Sequence, residues 1–134
     1  MKVLILCTAN SCRSIIAEAL VKAYLGYQVK SAGSKPRYEV NPLAKKVLEE
    51  EGIWSEEFYS KSIEDVLDED FDVVVTVCDN AKEECPLFPK RTKVLHIPFE
   101  DPDKKGFDAF IRIKEEMKRR LLPSLAVIGQ KPLF

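Results

Sequence analysis

Two clusters of side chains in this sequence are equipped for chemistry. The first is Cys7-Thr8-Ala9-Asn10-Ser11-Cys12-Arg13-Ser14, in which five residues separate a cysteine from an arginine. A loop that winds into a helix N-terminus aims several backbone N–H groups at one point, and that point suits a tetrahedral oxyanion. Arg13 adds a planar, permanently charged fork of donors that matches such an anion. The same field is expected to stabilise a thiolate on Cys7 and so lower its pKa. A nucleophile and an anion cradle in one loop point to in-line attack on phosphorus or arsenic. Thr8, Ala9, Asn10, Ser11, Cys12, Arg13 and Ser14 are therefore the candidate oxyanion-binding residues, with Cys7 and Arg13 as candidate catalytic residues. The loop has no glycine and no Lys-Ser/Thr pair, which argues against a nucleotide-binding loop of the Walker type.

The second cluster is Cys78 and Cys85, separated by a mostly polar segment that contains Asp79, Asn80, Lys82, Glu83 and Glu84. A thiol near Cys7 can attack an adduct on it and form a disulfide, and a third thiol can attack that disulfide and pass the oxidation outward. Seven helical residues hold two Cα atoms about 10 Å apart, so a Cys78–Cys85 bridge requires this segment to leave a regular helix. Asp101-Pro102 offers a carboxylic acid that could protonate a leaving oxygen, although Asp-Pro is also a common turn. The cysteine spacings do not give the two close pairs of a zinc site, and no metal or other cofactor is expected. Cys12 either pairs with Cys7 under oxidation or packs, and packing is the expectation. His96 reads as a packed strand residue, Trp54, Phe58 and Tyr59 as packing aromatics, and Lys90-Arg91-Thr92-Lys93 as a solvated loop.

These groups need a frame to bring them together. Lys2 to Leu6 is a short aliphatic run, read as a buried strand that feeds the Cys7 loop. Ile15, Ile16, Ala19, Leu20, Ala23 and Tyr24 recur at helical spacing, with Ser11 or Ser14 as the cap and Gly26 as the stop. Tyr27 to Ala32 reads as a second strand. Asn41-Pro42 begins a helix whose apolar face is Ala44, Val47 and Leu48, and Gly52 ends it. Ser62 to Leu67 reads as a short capped helix. Phe71 to Val77 is apolar on both faces, as a central parallel strand should be, and Lys93 to Ile97 is a fourth strand. Phe107, Phe110, Ile111, Ile113, Met117, Leu121 and Leu122 mark a last helix that Pro123 bends or ends. Strands alternating with helices predict an α/β, three-layer fold with a four-stranded, mostly parallel sheet and helices on both faces. Ligands of such sheets bind at the C-terminal strand ends, where the Cys7 loop, Cys78 and Asp101 all fall.

The 134 residues suit one domain, 1–134, with 46% hydrophobic and 32% charged residues typical of a globular chain. A net charge of -1 argues against nucleic-acid binding by bulk charge. No apolar run approaches the roughly 18–20 residues of a membrane span. The apolar start is too short for a signal peptide and no small-residue cleavage site closes it. A reducing, cytoplasmic compartment is the expectation, in which cysteines at telling spacings do chemistry more often than they staple a scaffold.

The residues together resemble the low-molecular-weight tyrosine phosphatase superfamily, and within it the thioredoxin-coupled arsenate reductases. The Cys7 to Ser14 segment is similar to the superfamily's phosphate-binding loop. Ser31-Ala32-Gly33 and Asn41-Pro42 match further landmarks, and the resemblance runs over nearly the whole chain. Val75-Thr76-Val77-Cys78-Asp79 and Cys85-Pro86 match the two redox cysteines of the reductase branch. His96-Ile97-Pro98-Phe99-Glu100-Asp101-Pro102 is similar to its His-Trp-Gly-Phe-Asp-Asp-Pro segment, with Ile97-Pro98 in place of Trp-Gly.

The resemblance implies reduction of arsenate by Cys7, Cys78 and Cys85 in relay, with arsenate or a phosphate-like oxyanion and thioredoxin or a similar thiol reductant as partners, and a monomer. Asp103-Lys104-Lys105 stand where the phosphatases carry ring-gripping aromatics. Some reductases of this kind bind potassium through four residues. Three fall on Asn10, Glu18 and Ser31, and the fourth on Lys61, so no potassium site is expected and Lys61 itself could supply the charge. Two other readings compete. One is a phosphotyrosine or phosphoester phosphatase that needs only Cys7, Arg13 and Asp101. The other is a non-catalytic oxyanion-binding or redox-sensing module.

Overall fold

A computed structural model describes residues 1–78, 88–89 and 91–129. Its elements in chain order are β1 (Lys2–Cys7), α1 (Arg13–Leu25), β2 (Gln28–Gly33), α2 (Pro42–Glu51), a 3-10 turn (Ile63–Asp65), β3 (Val73–Thr76), β4 (Lys93–His96) and α3 (Phe107–Gly129). The sheet has the order β2-β1-β3-β4 and is parallel throughout. The expected α/β class, strand number and helices are therefore present, and the sheet is wholly rather than mostly parallel.

The two inner strands carry the core. Val3, Leu4, Ile5 and Leu6 of β1 and Val73, Val74 and Val75 of β3 are almost wholly buried. A side chain of this size contributes about 1.5–3 kcal/mol when fully buried, which is why uninterrupted aliphatic runs occupy the centre. β2 and β4 are the edge strands, and Val94 on β4 is exposed. β3 is shorter than the apolar run from Phe71 to Val77, because pairing with both neighbours extends only over Val73–Thr76.

Each helix follows a local signal. The first part of α1 is buried on all sides, from Ser14 to Val21, and Gly26 ends it in the left-handed region at φ 67°. Neither Ser11 nor Ser14 caps it. Cys12 holds the cap position without a side-chain hydrogen bond, so this end of the helix keeps its N–H groups for something else. Asn41 caps α2 as expected, its Oδ1 accepting from the Leu43 amide at 2.8 Å, with Pro42 opening the helix. Phe110, Ile113, Met117, Leu121 and Leu125 make the buried stripe of α3. Pro123 does not end that helix, which runs on to Gly129. The three helices pack on one another, and the 3-10 turn lies against β2. Among the described residues no helix is long and apolar enough to cross a membrane.

Strand register positions the chemistry. Cys7 ends β1 opposite Gly33 at the end of β2, and Leu6 pairs with Thr76 on β3. The Val77 amide donates to the Leu6 carbonyl at 3.0 Å, so the next residue, Cys78, comes up beside the loop that follows β1.

Candidate active site

The Cys7 to Arg13 loop is held from outside by its carbonyls. Those of Cys7, Thr8, Ala9 and Ser11 accept from the amides of Ser34, Lys35, Arg37 and Asn41 at 3.3, 2.9, 3.0 and 2.9 Å. The Cys12 carbonyl accepts from the Ile16 amide within α1 at 3.0 Å. All peptides here are trans, which sets each C=O opposite the following N–H. Carbonyls drawn outward therefore turn the next amides toward the loop interior. Close approach of the 34–41 segment depends on Gly33, where a Cβ would stand 2.4 Å from the Thr8 carbonyl oxygen.

Asn10 anchors the loop from beneath. It is fully buried and sits in the left-handed region at φ 49°, a conformation asparagine tolerates. Its Nδ2 donates to Ser14 Oγ at 2.7 Å and Ser31 Oγ at 2.9 Å, and its Oδ1 accepts from the Lys61 amide at 2.8 Å. Ser31 Oγ in turn donates to Glu18. Lys61 Nζ donates to the carbonyls of Ser31 and Tyr59 at 2.7 and 3.0 Å. Burial raises the Glu18 carboxyl pKa and lowers that of the Lys61 ammonium, while each one's charge supports ionisation of the other. Asn10, Glu18, Ser31 and Lys61, far apart in the chain, thus form one polar knot with a lysine at its positive pole. Among the described residues no group of three or more His, Cys, Asp and Glu side chains is placed to hold a metal ion.

The loop lines a small cavity of about 20 Å³, to which Cys7, Cys12, Arg13 and Asp101 all contribute. It is smaller than the roughly 300–1,000 Å³ of pockets that engulf drug-sized ligands. Arg13 Nη1 donates to the Phe99 carbonyl at 3.0 Å, and its Nη2 lies 3.6 Å from Asp101 Oδ2. Its buried Nε has no hydrogen-bond partner among the described residues. Fork and carboxylate thus meet at the cavity, which brings together the first loop and the 99–106 loop as their positions after β1 and β4 predicted.

Cys78 is also placed as expected. It is buried beside the loop, with Thr8 Oγ1 3.4 Å from its Sγ, and its thiol is near enough to that of Cys7 to act on its charge. That contact overturns the expected low pKa of Cys7. The neighbouring Cys78 thiol and then burial push the Cys7 thiol well above its ordinary value, against the Arg13 charge and the Thr8 amide, which pull it down. The Cys12 thiol is buried, lies 3.7 Å from Ser11 Oγ, and is pushed up to about 11 chiefly by burial. Cys85 lies outside the described residues. His96 is at the end of β4, its Nδ1 2.6 Å from Thr76 Oγ1, and takes no part in the cavity.

Two lining residues escaped the sequence reading, Arg37 and Asp103. Arg37 stands between the Gly33 and Asn41 landmarks and Asp103 two places after Asp101, so proximity to recognised segments was the available signal.

Residues 2–131 match the family model described as low molecular weight phosphotyrosine protein phosphatase. The chain belongs to that family. It is similar to an arsenate reductase of Halalkalibacterium halodurans, 39% identical over 124 residues that cover 87% of this chain and 88% of the relative. Among solved structures it resembles an arsenate reductase from Archaeoglobus fulgidus, with a TM-score of 0.78 and 30% identity over 92% of this chain and 98% of that one. A thioredoxin-dependent arsenate reductase of Corynebacterium glutamicum is also similar, with a TM-score of 0.73 and 32% identity over 94% of this chain and 62% of that one. Within the phosphatase family, then, the chain sits close to reductases, and the Cys7–Cys78 contact has a chemical context.

Proposed function

We propose that this protein reduces arsenate to arsenite through a cysteine relay, acting as a monomer in the cytoplasm, with one domain over 1–134. The observation that carries the reading is a second buried thiol, Cys78, beside Cys7 at an arginine-lined anion cavity. A phosphatase of this kind needs one thiol at that point, and a reductase needs two.

Arsenate binds in the Thr8 to Ser14 loop, against its inward amides and the Arg13 fork. The Cys7 sulfur attacks arsenic, an oxygen leaves, and the thiol proton departs with it as water. Asp101, beside Arg13, protonates or orients the leaving oxygen. The Cys78 sulfur then attacks Cys7. The sulfur–arsenic bond breaks, its electron pair stays on arsenic, arsenic falls from the pentavalent to the trivalent state, and a Cys7–Cys78 disulfide remains. Cys85 attacks Cys78, freeing Cys7 and leaving a Cys78–Cys85 disulfide. A thioredoxin dithiol reduces that bond, which fits a reducing compartment.

The test is arsenate turnover coupled to thioredoxin, with mass spectrometry of the protein after one turnover. Wild type should cycle and Cys78→Ser should stop. Full multiple turnover in Cys78→Ser would sink the scheme. Phosphoester hydrolysis that survives loss of both Cys78 and Cys85, with no arsenate turnover, would favour the phosphatase reading.

A further inference from the structure

Arg37 is the second arginine of the cavity, and its attachments are unusual for a half-exposed side chain. Its amide is bonded to the Ala9 carbonyl of the oxyanion loop, so its backbone cannot drift from the site. Its Nη1 lies 3.2 Å from Asp103 Oδ2. Asp103 is largely buried, its Oδ1 accepts from Asn41 Nδ2 at 3.3 Å, and its amide donates to Asp101 Oδ1 at 3.0 Å. Arg13 with Asp101 and Arg37 with Asp103 thus form two arginine–aspartate pairs on the same cavity, joined through the 101–103 backbone.

We propose that Arg37 determines specificity at this site, favouring an inorganic tetrahedral oxyanion over an ester of the same acid. The proposal rests on the oxyanion site described under the proposed function. In-line attack by Cys7 sets the leaving oxygen opposite the sulfur, toward the cavity mouth. In an inorganic anion that oxygen is a hydroxyl or oxo group, and in an ester it bears carbon. Arg37 has five N–H donors and gives one nitrogen to Asp103, which leaves donors for an outward oxygen. An organic group at the same place would bury part of that ion pair without hydrogen bonds to replace those it displaces, which is unfavourable. Lysine could not serve equally, since a single ammonium cannot hold Asp103 and present a fork to the anion.

The experiment measures binding of inorganic phosphate and of phenylphosphonate to the reduced protein by calorimetry, at a pH where both are dianions. Neither ligand is reduced, and the carbon–phosphorus bond is not hydrolysed. Wild type should prefer phosphate. Arg37→Ala should lose about tenfold in phosphate affinity and much less for phenylphosphonate, and Arg37→Lys should fall between. Asp103→Asn, which loosens the Arg37 anchor without removing the arginine, should narrow the preference partway. An unchanged ratio of the two affinities in Arg37→Ala, whether both weaken together or neither moves, would overturn the proposal. Arsenate turnover is measured alongside: an active reductase with an unchanged ratio refutes only the role of Arg37, and absent turnover with a shifted ratio refutes only the reductase reading.

Discussion

The thiols of Cys7 and Cys78 are neighbours where the C-terminal ends of β1 and β3 lie side by side. One contact accounts for two properties. It keeps Cys7 protonated more strongly than an arginine neighbour alone would allow, and it sets Cys78 within reach of whatever Cys7 binds.

Replacing Cys78 should therefore acidify Cys7. Cys78→Ala removes the largest influence raising the Cys7 pKa and leaves the Arg13 charge and the Thr8 amide that lower it. The thiolate fraction at a given pH rises, and the pH profile of Cys7 alkylation by iodoacetamide shifts to lower pH. An unshifted profile would show that burial alone holds the proton.

Gly33→Ala should damage the loop more than the fold. The new methyl meets the Thr8 carbonyl at 2.4 Å and Asn10 at 3.0 Å, so the 34–41 segment must move off the loop it holds. Overpacking of this kind costs about 1–3 kcal/mol. Phosphate affinity is expected to fall by more than the change in thermal stability would suggest, as calorimetry and a melting curve on the same variant would show.

Lys61→Met should destabilise the protein by about 3–5 kcal/mol, because it strands the buried Glu18 carboxylate without its positive partner. With the charge already supplied by Lys61, wild-type turnover should be equal in sodium and potassium chloride at matched ionic strength. A potassium-specific rise in wild-type activity would contradict this account of the knot.

Glu51 joins α2 to α3 and should give the protein an acid-sensitive seam. Burial works against its charge, but hydrogen bonds from Lys114, Lys118 and Tyr24 outweigh it and hold the carboxyl at about 2, below the usual 4.5. A pKa depressed on folding adds stability above the unfolded value and loses it on acidification. That contribution is present above about pH 4.5 and fades as pH falls toward 2. Glu51→Gln should cost about 1–3 kcal/mol at neutral pH and flatten the loss of stability in that window, as urea unfolding across pH would reveal.

Much of the frame was legible one segment at a time. Aliphatic runs marked β1 and β3, helical spacing marked α1 and α3, and Asn41-Pro42, Gly26 and Gly52 marked helix ends, because propensity and capping act between near neighbours. The Cys7 to Arg13 cradle was legible for the same reason: nucleophile, amides and arginine all lie within one turn of chain. The capping of α1 was misread because the serines there serve other partners, Ser14 accepting from Asn10. Whether Cys7 holds its proton was decided by Cys78, and the Arg37–Asp103 pair spans 66 positions of sequence. Such contacts follow from strand order and register, which bring distant residues together in a poorly hydrated space where one hydrogen bond or charge can outweigh the local field.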